Sequence, residues 1–307
     1  DEAAGQRANE KLSGLHGLGG RADEPTPTRP TPLQSSTLAP GVALDGWVVE
    51  EFLGDGATGT VYRATDAQGN VVALKVLKAE LADDQVFKRR FEHEVRAAGE
   101  VHNDHLVGIR DSGEAEGLLY IAMDYLQGRP LNEIIEAEGR LDTRETIRIV
   151  AHIGDALDAL HKAGVVHRDV KPSNIIVGKD RAVLTDLGLA KGRAYTVLTR
   201  PGQIMGTLDY MAPEIIKGEE AGPASDIYGL ACIAYECIAG RPPFADKGVF
   251  QVGMAHVVDE PPDPTLERND VPKGVGWAIT QALAKDPERR PPSGIAFANL
   301  LKMGAKG

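Results

Sequence analysis

The sequence is short of several things, and each shortage narrows the reading. Of its 307 residues only Cys232 and Cys237 are cysteines. They stand five apart in an apolar stretch of helical character, so their side chains face different ways and no bridge between them is expected. That excludes a disulfide scaffold and a thiolate zinc site and points to a reducing compartment, the cytosol. Positive charge is in deficit, with 34 Lys and Arg against 45 Asp and Glu and a net charge of −11. A general binder of nucleic acid or of anionic membrane needs the opposite balance, so neither partner is expected, and any phosphate site has to be made basic locally. No run reaches the roughly 18 apolar residues of a membrane span. The longest, Ile227 to Ala239, is too short, holds Glu236, and reads as a buried core helix. No internal repeat and no secretory signal is visible in these residues. The chain opens on Asp1 rather than on methionine and is expected to be part of a longer protein, with any membrane attachment left to other segments.

What is present divides unevenly. Residues 1 to 40 carry five prolines between Asp23 and Pro40, several Ser and Thr, and few large apolar side chains. Such a segment buries too little to offset its ordering entropy and is read as a disordered or extended linker, with a short helix before Gly14 as the one local exception. From Gly46 to Asp124 the pattern is mainly strand, with one helix over 84–99 whose Phe87, Phe91 and Val95 share a face at i, i+4, i+8. From residue 125 to 303 it is mainly helical, over 131–138, 143–163, 225–239, 250–257, 275–284 and 293–303, interrupted by short strands at 175–177 and 182–185. The fold class is therefore α+β, a small β-rich lobe (46–124) followed by a larger α-rich lobe (125–303) with a cleft between them.

Three glycines, Gly54, Gly56 and Gly59, stand at the spacing G-x-G-x-x-G in FLGDGATGTVYRATD. Glycines so spaced let a backbone approach phosphates, but a dinucleotide-binding turn and a hairpin over ATP share the pattern, and a plain surface hairpin fits it too. The residues that follow, Thr60, Val61, Tyr62 and Arg63, are strand formers. A dinucleotide site needs a helix there.

Lys75 interrupts the apolar strand VALKVL, where an unpaired ammonium is costly to bury. Glu94 falls within the arc of Phe87, Phe91 and Val95, and Glu92 falls off it. A carboxylate on the core side of a helix asks for a cation, and Lys75 is the available one; the alternative is that Glu94 snorkels from the edge of the face. Further on, HRDVKPSN spans 167–174 in a loop between helix and strand, and Asp186-Leu-Gly188 follows twelve residues after Asn174. If the two short strands pair, two acids, an amide and a lysine converge. Phosphoryl transfer uses that set: oxygen ligands for magnesium, a cation for the moving group, a carboxylate beside the attacking hydroxyl.

With the glycine loop, VALK, HRDVKPSN, DLG and GTLDYMAPE in order, the sequence resembles the eukaryotic-type (Hanks-type) protein kinase family from about Gly46 to Met303, and its bacterial serine/threonine branch most. The resemblance implies the bilobal kinase fold and a phosphotransferase that moves the γ-phosphoryl of ATP to protein Ser and Thr hydroxyls in signal transduction. It implies ATP and Mg²⁺, with Mn²⁺ as an alternative ion. Lys75, paired with Glu94, holds the α- and β-phosphates; Asp169 orients the substrate hydroxyl; Lys171 neutralises the γ-phosphoryl; Asn174 and Asp186 ligate the metal. Leu53, Val61 and Ala73 enclose adenine with Met123 as gatekeeper, and the backbone from Asp124 to Leu126 bonds its edge. Glu214 pairs with Arg290, and Asp226 holds the HRD backbone, for which a helix N-cap is the plain alternative. Leu187 replaces the commoner phenylalanine and still packs under the Glu94 helix. Ser173 stands where arginine-directed kinases carry glutamate. Arg168 receives a phosphate placed on the segment between Asp186 and Glu214, with Thr199 the first candidate and Thr196 the second; Thr207 has a structural role. Protein substrates follow, and a homodimer for trans-autophosphorylation is left open. A pseudokinase scaffold is disfavoured by the presence of Lys75, Asp169 and Asp186, and an aminoglycoside-type phosphotransferase by Glu214 and Arg290.

Overall fold

The computed structural model describes residues 38–56, 58–188, 208–266 and 268–307. The expected linker lies outside them as far as residue 37, as do Thr196, Thr199 and Thr207. The first lobe holds β1 (Ala43–Leu44), β2 (Trp47–Asp55), β3 (Gly59–Thr65), β4 (Val71–Leu77), α1 (Ala79–Ala82), α2 (Gln85–Gly99), β5 (Ile109–Ala115) and β6 (Leu118–Asp124). The strands form one antiparallel sheet in the order β1-β2-β3-β4-β6-β5. Local chemistry sets the β3–β4 turn: the Asp66 carboxylate accepts from the Gln68 and Asn70 N–H groups at 2.9 and 2.8 Å, and Gly69 takes φ +83°.

Strand alternation then sorts the side chains onto two faces. Tyr62, Ala64, Val72, Leu74, Val76, Tyr120 and Ala122 point outward into a small core of their own. Val61 lies opposite Lys75 and Ala73 opposite Met123, which puts these four on the inner face, toward the second lobe. The outer core begins earlier than the boundary at 46 read from composition. Leu38 is buried there and its N–H donates to the Tyr62 hydroxyl at 2.8 Å, and β1 pairs with β2. One leucine and a two-residue strand are too small a signal to stand out beside a proline-rich stretch.

α2 starts at Asp84, whose carboxylate caps the Val86 and Phe87 N–H groups at 2.8 and 3.1 Å. It buries Phe91, Val95 and Ala98, with Phe87 stacked on Phe91. Burying a Phe or Val side chain is worth about 1.5–3 kcal/mol, so this face fixes which way Glu94 points.

The second lobe holds β7 (Arg129–Pro130), α3 (Leu131–Glu138), α4 (Thr143–Lys162), β8 (Ile175–Val177), β9 (Ala182–Leu184), α5 (Pro213–Ile216), α6 (Pro223–Ala239), α7 (Val249–Val258), α8 (Lys273–Ala282) and α9 (Gly294–Gly304). α6 is buried from Ser225 to Ile238 and forms the axis on which the others pack. α4 and α9 cross so closely that a Cβ on Gly154 would stand 2.6 Å from the Gly294 backbone. Asp158 of α4 caps α9 through the Gly294 and Ile295 N–H groups at 2.7 and 3.1 Å. β7, β8 and β9 form a second small sheet, and its β8–β9 pair is the hairpin on which the sequence argument depended.

Candidate active site

The loop carrying HRDVKPSN is held from beneath. Asp226 is buried one turn inside α6, and its two oxygens accept from the His167 and Arg168 N–H groups, both at 2.8 Å. His161 Nε2 meets the same carboxylate at 2.8 Å. The N-cap position of α6 belongs to Gly222, so the capping alternative for Asp226 falls. Held this way, Arg168 adopts φ +64°, which a non-glycine residue takes only when its surroundings dictate it. His167 is fully buried. Its Nδ1 accepts from the Asp169 N–H at 3.3 Å, so Nε2 carries the proton and donates to the Thr185 carbonyl at 3.1 Å. Burial pushes its imidazole below the usual range and keeps it neutral.

On this platform Asp169 presents Oδ2 to Lys171 Nζ at 2.9 Å and to Asn174 Nδ2 at 3.1 Å. The Asn174 amide nitrogen also donates to the Asp169 carbonyl at 2.8 Å, which turns its side-chain oxygen the other way. Thr185 ties the two strands together, donating from N and Oγ1 to the Asn174 carbonyl at 2.8 and 3.1 Å. Asp186 follows at φ +61°, and Gly188 closes the turn, its N–H on the His167 carbonyl at 3.0 Å. A Cβ at Gly188 would stand 2.7 Å from that carbonyl, so only glycine fits.

The cations and carboxylates across the cleft are arranged otherwise than expected. Lys75 is buried, as argued, but its ammonium pairs with Asp186. Glu94 points into the cleft, while Glu92 is exposed, yet its Oε1 takes Arg168 NH1 at 2.8 Å. The Lys75–Glu94 pair is therefore not formed in this arrangement. Glu94 has 22% of its side chain exposed, so its contact with Arg168 is open to exchange. The same contact occupies Arg168, which was expected to serve a phosphate. Leu187 is buried in one cluster with Phe91 and Val95, under the Glu94 helix.

The glycine loop is a strand–turn–strand, which removes the dinucleotide reading. Gly59 is forced by packing, since a Cβ there would meet the Val76 carbonyl at 2.2 Å. Gly56 N–H closes the turn on the Gly59 carbonyl at 2.9 Å. Among the described residues nothing lies within 4 Å of a Cβ built on Gly54, so their packing does not explain it, whereas a phosphate drawn close to the backbone would. Val61 and Ala73 line the inner face above Lys75, Met123 is buried at the back, and Leu53 stands 41% exposed at the strand's tip. The Asp124 N–H is already spent on the Gly108 carbonyl at 2.9 Å, and its side chain pairs with Arg110. Any bond from Asp124 to a base edge has to come from its carbonyl.

Below the loop, Arg290 and Glu214 form a buried two-pronged pair, NH1 to Oε1 and NH2 to Oε2, both 2.7 Å. Ser225 Oγ adds a bond to Glu214 at 2.7 Å, and Arg290 also serves the Ala284, Ala224 and Lys285 carbonyls. Burial alone would raise the Glu214 carboxyl, but Arg290 and Ser225 hold it below its usual range. Sequence reasoning missed His161, and it missed the bond from the Tyr210 hydroxyl to Glu236 at 2.6 Å that ties the GTLDYMAPE segment to α6. No motif marks either contact.

The residues present fit a nucleotide-borne divalent cation. Among the described residues no group of three or more His, Cys, Asp or Glu side chains is placed to hold a metal. One carboxylate, Asp186, and one amide oxygen, that of Asn174, are hard ligands of the number magnesium takes from a protein when phosphates and water complete its shell.

The chain matches the protein kinase domain model over residues 47–301. It is 38% identical over 269 residues to the serine/threonine-protein kinase PknA of Mycobacterium tuberculosis, covering 85% of this chain and 62% of that protein. To PknE of the same organism it is 38% identical over 252 residues, 81% of this chain and 44% of that one. The chain thus spans about three fifths or less of the length of these relatives. The crystal structure of the M. tuberculosis PknI kinase domain superposes with a TM-score of 0.71 at 31% identity, covering 88% of this chain and all of that one.

Proposed function

The chain belongs to the protein kinase family, and from that premise we propose that it transfers the γ-phosphoryl group of ATP to serine and threonine hydroxyls of proteins, with magnesium or manganese bound at Asn174 and Asp186. The observation that carries this is the single connected set Asp169–Lys171–Asn174 beside Lys75–Asp186, raised on a buried platform at Asp226. Asp169 Oδ2 takes the hydroxyl proton as the oxygen attacks, with Lys171 neutralising the charge that gathers on the moving group. Bound magnesium supplies charge neutralisation between the phosphates. Once nucleotide occupies the cleft, Lys75 leaves Asp186 for the α- and β-phosphates and takes Glu94 as partner, and Arg168 is released to serve a phosphate on Thr199 or Thr196. Lys171 two residues after Asp169 supports hydroxyl-bearing Ser and Thr substrates over tyrosine. Two buried, unbridged cysteines support a cytosolic setting, and no helix among the described residues is long and apolar enough to cross a membrane. Trans-autophosphorylation by a second copy accounts for modification of the segment that joins Asp186 to Glu214.

Incubation of the chain with γ-labelled ATP and magnesium, followed by peptide mass spectrometry, tests the reading. Label on threonine or serine, including residues 189–207, is expected. No incorporation with either metal, or label on tyrosine alone, would refute it.

A further inference from the structure

His105 and His152 come from parts of the chain that no motif connects. One lies in the connector between α2 and β5, the other in the middle of α4. Their rings stack with centroids 3.9 Å apart and planes 9° from parallel. Both Nδ1 atoms face the backbone of one residue, Ala182, the first of β9. His152 Nδ1 accepts from the Ala182 N–H at 3.2 Å, and His105 Nδ1 lies 3.1 Å from the Ala182 carbonyl.

Those two contacts dictate the protons. A carbonyl only accepts, so His105 carries hydrogen on Nδ1. An N–H only donates, so His152 keeps Nδ1 bare and its proton on Nε2. The rings are therefore in opposite tautomers, and neither can be exchanged for the other without setting like against like.

The grip extends along the strand. The Leu184 N–H donates to the His105 carbonyl at 2.8 Å, and the Val107 N–H donates to the Leu184 carbonyl at 2.9 Å. The connector is itself anchored to α4, since Asn103 accepts from the His105 N–H at 2.8 Å and donates to Asp155 at 2.7 Å. β9 is thus held on one edge by β8 and on the other by the histidine connector. Two residues past its end stands Asp186, and β8 begins directly after Asn174.

We propose that His105 and His152 are positioning residues of the phosphoryl-transfer site: a pair of stacked imidazoles in opposed tautomers that holds Ala182 by both backbone groups and so fixes the strand from which the metal-binding carboxylate projects. Strand β9 is three residues long and cannot set its own position; the outer clasp supplies what its length lacks. The charges around the pair keep His152 neutral. Arg148 lies one turn away on α4 and resists a second cation, as His105 does, while Glu145 and Asp155 on the same helix pull the other way. Asp180 and Arg181 on the β8–β9 turn, and Asp104 on the connector, complete the setting, with Arg181 donating to the Asp104 carbonyl at 3.4 Å. Burial, with His105 and Arg148 beside it, brings His152 down to about 4, so the accepting tautomer persists at neutral pH.

The inference rests on the kinase reading for its consequence but not for its geometry, and two measurements on the full chain separate them. Imidazole nitrogen-15 shifts read the tautomers without any reaction: His105 with its proton on Nδ1 and His152 with its proton on Nε2 are expected, and any other assignment overturns the clasp. The second measurement is the magnesium concentration giving half-maximal rate. His152→Leu removes the acceptor and is expected to raise it about tenfold, the lower end of what losing an outer-sphere support costs a metal site, with the KM for peptide little changed. His152→Asn restores an oxygen where Nδ1 stood and is expected to return it to within about threefold. Equal magnesium dependence in wild type and His152→Leu, or equal defects in the Leu and Asn variants, overturns the proposal. Should His152→Leu fail to fold, the tautomers and the Asn variant still decide. A wild-type chain with no magnesium-dependent transfer refutes the kinase reading instead, and leaves the tautomer test standing.

Discussion

The ionic contacts beneath the catalytic loop and those across the cleft above it are built on different terms. Beneath it, Asp226 and the Glu214–Arg290 pair are buried, and each uses two oxygens or several guanidinium donors against fixed partners, much of it backbone. Above it, Glu94 Oε1 meets Arg168 NH1 at 2.8 Å with 22% and 26% of the two side chains exposed, and Lys75 rests on Asp186. A buried multidentate pair has no cheaper arrangement, because breaking it leaves an uncompensated charge. A half-exposed single contact is worth about 1 kcal/mol or less and trades partners readily. The lower set is scaffold. The upper set is where, on the proposed function, a nucleotide or a phosphate would change the molecule's state.

The largest effect expected separates chemistry from scaffold altogether. Asp169→Asn removes the proposed proton acceptor and is expected to leave the platform at Asp226 intact. Its transfer rate should fall by about 10² to 10⁴ with nucleotide affinity nearly unchanged; a peptide phosphorylated at the wild-type rate would end the assignment. Next, Arg290→Met strands Glu214 in the interior and should cost about 3–5 kcal/mol in urea unfolding. A cost below about 1 kcal/mol would erase the distinction between the lower and upper sets.

A smaller effect is the acid dependence of stability. His152 is held at about 4, below its usual range, by burial first and then by His105 and Arg148. A depressed histidine contributes stability that is full above its unfolded value near 6.5 and is lost as pH falls toward 4. Allowing for solvent screening of a half-buried ring, about 1–2 kcal/mol should disappear over that window. His256, held at about 3 in the second-lobe core by burial, titrates lower still. Comparison of wild type with His152→Asn isolates the first contribution, and parallel stability curves between pH 7 and 4 would contradict it. Smallest is the Glu94–Arg168 coupling, which a double-mutant cycle on unfolding without nucleotide should place at about 1 kcal/mol or less.

Much of the lower set was legible in the sequence. α3, β4 and β8 fall on their expected residues, and the β8–β9 hairpin brings Asn174 and Asp186 into one site because Ile175–Val177 and Ala182–Leu184 are short, apolar and bounded by turn residues. Glu94 was separable from Glu92 by helical period alone. What periodicity could not give was Glu94's partner. It reports which face a carboxylate occupies, not which cation that carboxylate takes. The histidine clasp was illegible for another reason. The His105 and His152 rings meet each other and the backbone of Ala182, and a backbone partner leaves no mark on the sequence. In the sequence Glu236 is only a charge that interrupts an apolar run, and its bond to Tyr210 is likewise a matter of tertiary placement.

The most direct test of the account is a crystal structure of this chain with magnesium and a non-hydrolysable ATP analogue. Glu94 is expected within 4 Å of Lys75 and away from Arg168, while the His167 and Arg168 N–H groups stay on Asp226 and Arg290 stays on Glu214. Glu94 still bound to Arg168 over a filled nucleotide site, or a rearranged Asp226 platform, would contradict it.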